Sequence, residues 1–406
     1  MVKLNKNLVK SSLILLITLN LYNFLNFFFH FSMARMLSVS NYGILATLFS
    51  IMYIFGIFAE SVQIIITKYT SHQSNKGKLK NLIKKSFKKA LIFSSVLFLV
   101  YLIVSIPLSS SLEIPFLLLA INGLFIFSSF FPPITRGVLQ GLKRFSSLGG
   151  NMVFEGVSKL ILAIIFVLLL TKYGLAVHGA VVATILGVFL AFLLSFVSLK
   201  DIFNSKEKEA MTHEIYGYSA PVFVTLFVVL IFYSLDIVLA KMFFSQDIAG
   251  AYALASILGK SIFLGTNGIS KAMFPLSSSV KKTKKRYHHI FFSAFAIMFA
   301  CIFIALAIIY FFPSLLIKLF SGKEVPLASS LLFYIGLAAG FISFANLILL
   351  YKLSLKKTRG CYYLLLFIVV QISLLTYFSK NIFTFTLAFV FASLIFLIGS
   401  IFLLDK

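Results

Sequence analysis

Apolar runs of about 20 residues, each closed by a short polar or basic stretch, recur along the whole chain. A run of that length crosses the ~30 Å hydrocarbon core of a bilayer as a helix, and a backbone in lipid must satisfy its own hydrogen bonds. The pattern therefore predicts twelve transmembrane helices, over 12–32, 42–66, 88–108, 113–133, 150–171, 177–199, 216–242, 248–275, 289–312, 328–352, 361–378 and 381–403. In three of them polar residues recur on one face. Asn20, Asn23, Asn26 and His30 fall within about a third of the first helix's circumference. Tyr53, Gly56, Glu60, Gln63 and Thr67 do the same in the second, and Ser256, Lys260, Asn267 and Lys271 in the eighth. A polar stripe faces protein or water rather than lipid, which leaves interhelical hydrogen bonding and the lining of a cavity as readings.

Composition then fixes the class. Of 406 residues 60% are hydrophobic and 12% charged, which excludes an ordinary soluble domain. The net charge of +25 would suit nucleic acid, but its distribution points elsewhere. Of 36 Lys and Arg, 27 fall on one side if the N-terminus and every second loop are assigned to it. The other side holds Arg35, Lys172, Lys241, Lys318, Lys323 and Lys380. This asymmetry predicts cytoplasmic termini in a multi-pass protein of the cytoplasmic membrane. The basic runs Lys76–Lys89 and Lys281–Arg286 are then topology signals first and lipid-headgroup sites second. Ser11–Ser32 follows three lysines as a signal peptide would, but it lacks a small-residue cleavage site and is read as the first helix. Cys301 and Cys361 lie in or at spans, where neither a disulfide nor a metal is expected. No GxxxxGK[ST] motif is present, so no bound nucleotide or other cofactor is expected.

Charge inside the spans is where function is sought, because it is costly there. Glu60 is either a cavity residue or a hydrogen-bonded acid near a helix end. Glu155 and Lys159, four apart, can pair along the fifth helix. Asp236 is either a cavity residue or a partner for a lysine. Lys260 lies near mid-depth, whereas Lys271 is close enough to the helix end to snorkel. The glycine-rich segment Thr135–Gly150 reads as a cytoplasmic loop, prolines 107, 115, 132 and 133 as helix ends, and Gly265 and Gly268 as a bend in the long eighth helix. Two echoes suggest duplication. RMLSVSNYGILA (Arg35–Ala46) is answered by KMFFSQDIAGAYALA (Lys241–Ala255), and KKSFKKALIFSSV from Lys84 by KKRYHHIFFSAFA from Lys284. The expected organisation is an N-terminal six-helix bundle over 1–200, a cytoplasmic linker over 201–215 and a C-terminal six-helix bundle over 216–406, related by a pseudo-twofold axis along the membrane normal. Aligning Gly43 with Gly250 sets Tyr53 against Lys260 and Glu60 against Asn267, with helices 1 and 2 expected across a cavity from helices 7 and 8.

RGVLQGLKR (Arg136–Arg144), YGLAVHGAVVAT (Tyr173–Thr184), SVSNYGILA (Ser38–Ala46) and DIAGAYALAS (Asp247–Ser256) resemble the polysaccharide-export flippases, which translocate lipid-linked oligosaccharides. Their superfamily also holds multidrug and toxin extruders and peptidoglycan-lipid flippases. The resemblance implies an all-α protein of two six-helix bundles around a cavity, working by alternating access on a polyprenyl-(pyro)phosphate-linked oligosaccharide. Membrane lipids and a glycan polymerase would be its partners, and it would act as a monomer without enzymatic activity or nucleic acid. Anionic cargo needs cations at depth, and the candidates are Lys260, Lys271, Lys159 and Arg35, with Asp236, Glu60, Glu155, Asn23 and Asn267 lining the same cavity. A drug extruder of the same superfamily would need titratable acids instead, of which there are fewer than cations. A membrane-embedded glycan polymerase or glycosyltransferase would need a larger external loop than 313–327.

Overall fold

A computed structural model of the chain describes residues 6–71, 73, 75–209, 219–279, 284–355 and 357–403, and every regular element among them is helical. In chain order the helices are α1 (Lys6–Met36), α2 (Val39–Ser71), α3 (Lys76–Leu112), α4 (Phe116–Gly123), α5 (Phe125–Ser128), α6 (Phe131–Gly141), α7 (Phe145–Thr171), α8 (Ala176–Ser198) and α9 (Lys200–Phe203). They continue with α10 (Ser219–Phe243), α11 (Gln246–Gly259), α12 (Ser261–Ser279), α13 (Lys284–Phe311), α14 (Pro313–Ser321), α15 (Pro326–Ser354), α16 (Leu364–Tyr377) and α17 (Ile382–Phe402). Ten stretches among the described residues are long and apolar enough to cross a bilayer, α4–α6 and α11–α12 each counting as one. The 31-residue α1 and the shorter apolar stretch Cys361–Tyr377 occupy the two other positions of the expected twelve.

Three boundaries differ from the sequence reading, each for a physical reason. The basic run from Lys76 is not a loop but the first turns of α3, started by Asn75, whose side chain accepts from the Gly77 and Lys78 amides. Thr135–Gly150 is likewise mostly helix. Pro132 and Pro133 stand in the first turn of α6, where an amide proton has no intrahelical partner to lose, so they begin that helix rather than end a span. Only Leu142–Arg144 separate α6 from α7. The long eighth span is interrupted at Lys260, between α11 and α12, and not at Gly265 or Gly268. The first half of the basic run Lys281–Arg286, and residues 210–215 of the expected linker, lie outside the described residues.

The chain divides into two compact units. One comprises the described residues of Met1–Met36 and Phe55–Ser219, the other Leu37–Ile54 and the described residues of Ala220–Lys406. The first turns of α2 thus pack with the second unit and the remainder with the first. In the first unit α7 is the spine, flanked by α1 and α8, and in the second α15 packs on α11, α12, α13 and α17. Of the most apolar stretch of α15, 72% is buried, against 17% for α3 and 28% for α7, so α3 and the outer side of α7 present their leucines and isoleucines to lipid.

Close approach fixes α6 against α2. A methyl on Gly137 would stand 2.8 Å from Ile66 Cβ, and one on Gly141 would stand 2.8 Å from the Thr67 carbonyl. These two glycines, four apart, form a small-residue face that lets backbones meet in lipid, where dispersion and hydrogen bonds replace the hydrophobic effect. The same contact carries polar links: Gln63 donates to Gln140 Oε1 at 2.8 Å, and Thr67 Oγ1 donates to the Gly137 carbonyl at 3.2 Å.

Candidate functional site

Each unit encloses one buried cluster of charge. In the first, Arg136 on α6 reaches α7. Its Nη2 donates to Glu155 Oε2 at 2.5 Å and its Nε to Asn151 Oδ1 at 2.8 Å, while Asn151 donates in turn to the Ala191 carbonyl of α8. From α1, the Tyr22 hydroxyl donates to Glu155 Oε1 at 2.6 Å. One turn along α7, the Lys159 ammonium donates to Asn26 Oδ1 and lies 4.6 Å from the centre of the Phe29 ring. Arg136, Glu155 and Lys159 are all buried, and His30 is buried beside them on α1. The cluster holds two cations and one carboxylate, a surplus of one positive charge in a low-dielectric setting where charges interact strongly.

The second unit's cluster sits at the α11–α12 interruption. Lys260 donates to Asp236 Oδ1 on α10 and to the Tyr233 carbonyl one turn earlier. Asp236 Oδ2 also accepts from the Tyr252 hydroxyl at 2.8 Å and the Ser256 hydroxyl at 3.2 Å, both from α11. The ammonium lies 5.3 Å from the ring centres of both Tyr233 and Phe389. Both charged side chains have no exposed surface, so this ion pair is wholly removed from solvent. Lys260 stands between α11 and α12 with its backbone still in the right-handed helical region, and its stem reaches α10.

Of the candidates read from the sequence, Glu155, Lys159 and Asn26 come together in the first unit and Asp236 and Lys260 in the second. Asp236 takes the role of partner to a lysine. Glu155 is ion-paired with Arg136 on a neighbouring helix in addition to lying one turn from Lys159. Asn267 is half-buried and accepts from Asn346 at 3.2 Å across α12 and α15. Glu60 is half-buried on α2, one turn before the Gln63 link to Gln140. Asn23, Arg35 and Lys271 are exposed, and Arg35 lies 4.6 Å from the Phe31 ring centre. The polar stripe of α1 therefore divides, with Asn26 and His30 turned into the first unit and Asn20 and Asn23 turned out.

Sequence reasoning missed Arg136, Tyr22, Asn151 and Tyr252. Reading the basic segment around Arg136 as a loop hides the arginine among its neighbours. Tyr22 and Tyr252 count as aromatic packing until an acid is placed within reach of their hydroxyls. The discoverable signal is the RGVLQG string itself, in which the glycines carry the helix contact and the arginine carries the charge.

The helix order and the two units define a class, multi-pass membrane proteins with the fold of the MOP-superfamily transporters. The whole chain superposes on an inward-facing multidrug resistance MATE family transporter of that superfamily with a TM-score of 0.73, at 13% identity, covering 96% of this chain and 98% of that one. It superposes on the lipid II flippase MurJ in an inward closed conformation with a TM-score of 0.69, at 14% identity, covering 97% and 88%. A MOP-superfamily transporter from Pyrococcus furiosus, described as having a binding pocket of reversed polarity, gives 0.59 at 14% identity, covering 98% and 94%. The family is settled by sequence: residues 8–281 match the model of the polysaccharide biosynthesis proteins, and the chain belongs to that family. It is also 24% identical over 266 residues to the uncharacterized membrane protein MJ1375 of Methanocaldococcus jannaschii, a match spanning 63% of this chain and 63% of that protein's length.

Proposed function

We propose that this chain moves a polyprenyl-(pyro)phosphate-linked oligosaccharide from the cytoplasmic to the outer leaflet by alternating access, for surface polysaccharide biosynthesis. The observation that carries this reading is the first unit's cluster, in which buried Arg136 and Lys159 outnumber Glu155. A (pyro)phosphate entering such a site meets fixed cations with little competing solvent, and because the Arg136 fork is engaged by Glu155, the Lys159 ammonium is the cation assigned to it. Across the described residues the buried charged side chains are Arg136, Lys159, Lys241, Lys260 and Lys352 against Glu155 and Asp236, a balance that suits an anion better than the organic cation a drug extruder would carry. Membership of the polysaccharide biosynthesis family supports a role in that process.

In this reading Arg136 and Glu155 position the site and Lys159 meets the phosphate, with Asn23 standing one turn to the cytoplasmic side of Asn26 along α1. Lys271 and Arg35 would meet the headgroup before and after it crosses, with both termini in the cytoplasm. The test is polysaccharide export in cells carrying Lys159→Ala and Lys159→Arg, with protein abundance measured alongside. Loss of export by Lys159→Ala at normal abundance, partly recovered by Lys159→Arg, is expected. Wild-type export by Lys159→Ala at normal abundance would overturn the assignment.

A further inference from the structure

We propose that the first turns of α3 form a site for the headgroup of an anionic membrane phospholipid, distinct from the transported cargo. The segment from Lys76 to Lys89 carries seven lysines, and the helix sorts them onto two sides. At about 100° per residue, Lys76, Lys80 and Lys84 lie within about 80° of one another, Lys78, Lys85 and Lys89 lie on the opposite side, and Lys88 falls between the two groups. The side of Lys76, Lys80 and Lys84 is bonded from within the unit by α9 and the segment after it. Lys76 pairs with Asp201 at 2.9 Å, Lys84 pairs with Glu207, and Lys80 donates to the Ser205 carbonyl at 3.0 Å. Arg144 completes the arrangement with a bidentate pair to Asp201 at 2.7 and 2.8 Å.

The other side is built differently. Lys85, Lys88 and Lys89 are all exposed, and Glu209, 3.8 Å from Lys85, is itself 88% exposed, so water screens that pair on every side. Along the same stripe the helix continues with Ile92, Val96, Leu99 and Ile103, each between 56% and 68% exposed. Those aliphatic residues lie in the apolar part of a transmembrane helix, so lipid chains cover them. One turn therefore separates three exposed lysines from a surface that lies against acyl chains, and a lipid lying along Ile92–Ile103 would bring its phosphate to Lys85, Lys88 and Lys89. Charge complementarity selects an anionic headgroup over a zwitterionic one. Lysines needed only to fix orientation would have no reason to stand, exposed, within one turn of the lipid-facing stripe Ile92–Ile103.

The chain contains no tryptophan, so Ile92→Trp installs a single reporter beside the proposed site. The purified full-length variant would be reconstituted in phosphatidylcholine vesicles containing increasing dibrominated phosphatidylglycerol, and separately dibrominated phosphatidylcholine, and quenching would give the relative affinity of the two lipids. About fivefold or greater preference for phosphatidylglycerol is expected at Ile92→Trp. None is expected at Ile161→Trp, which is equally lipid-facing on α7 and whose neighbouring lysine, Lys159, is buried. Adding Lys88→Gln and Lys89→Gln should remove the preference without changing quenching by phosphatidylcholine, whereas Lys80→Gln should leave it. Equal affinities at Ile92→Trp, or a preference that survives the glutamine pair, would overturn the proposal. Loss of the preference on adding millimolar inorganic phosphate would overturn it too, by showing a site for free anion rather than lipid.

Discussion

Removing either member of the Asp236–Lys260 pair should destabilise the second unit, and removing both should restore it. Each side chain is fully buried, so a single neutralisation leaves a charge that has lost its counterion but not its desolvation, a cost of about 3–5 kcal/mol. The two single variants should differ. In Lys260→Met the stranded Asp236 still accepts from Tyr252 and Ser256, which places it near the lower end. In Asp236→Asn the ammonium keeps the Tyr233 carbonyl and loses its carboxylate, which places it near the upper end. For a unit of this size those costs correspond to roughly 6–20 °C in melting temperature. The double variant Asp236→Asn/Lys260→Met leaves no charge and keeps an acceptor for the Tyr252 and Ser256 hydroxyls, and it should melt within a few degrees of wild type. The assay is thermal unfolding of the detergent-solubilised protein with export measured in parallel. Wild-type stability in Lys260→Met, or a double variant no better than the worse single one, would refute the reasoning. The export readout separates two roles: recovery of export with the double variant assigns Lys260 to the fold alone, and continued loss at restored stability assigns its charge to the cargo.

Gly137→Val should force α6 away from α2 at Ile66, at a cost of at least about 1–3 kcal/mol, read as lowered abundance and melting temperature; an unchanged melting temperature would show that the helices separate freely. Arg144 and Lys76 hold the Asp201 carboxylate below the ordinary range, so its contribution to stability should be complete above about pH 4 and decline as the pH falls below that. The melting-temperature difference between wild type and Asp201→Asn should therefore shrink on acidification, and a difference that grows would contradict the sign. Reporter fusions after Lys200 and at the C-terminus should both report cytoplasm, and an external C-terminus would remove the even-helix topology.

Helix number and position were legible because span length and apolar period are set by the bilayer, which acts on every residue of the pattern alike. The polar stripes were legible only in part, since Asn26, His30 and Lys260 are turned inward while Asn20, Asn23 and Lys271 are exposed. Partners were not. The spacing of Glu155 and Lys159 fits an intrahelical pair, but the neighbour with the better geometry, Arg136, comes from a helix whose angle is set by Gly137 and Gly141 packing on α2. Nothing in the local sequence carries that angle. The break at Lys260 was missed because Gly265 and Gly268 are the more permissive residues, yet neither has a side chain or backbone pressing on its Cβ position, whereas Lys260, whose backbone stays in the right-handed helical region, bonds Asp236 and the Tyr233 carbonyl through its side chain.

The echoed segments at Arg35–Ala46 and Lys241–Ala255 touch in the second unit, from Val39 and Ser40 onward. A methyl on Gly43, at the start of α2, would stand 2.7 Å from Gly250 Cα at the start of α11, and one on Gly250 would meet the Val39 carbonyl. Ser40 donates to Gln246 Oε1 at 3.0 Å across the same contact. A glycine on each of the two helices is what so close a crossing requires, because each backbone occupies the space the other's side chain would fill. The echo holds about three turns further along: the aligned positions Tyr53 and Lys260 both meet Tyr233, the tyrosine edge-on at 5.8 Å between ring centres and the lysine through the carbonyl and ring face. One position of the aligned segments thus carries an aromatic ring in α2 and the buried charge at the α11–α12 junction, both directed at the same tyrosine.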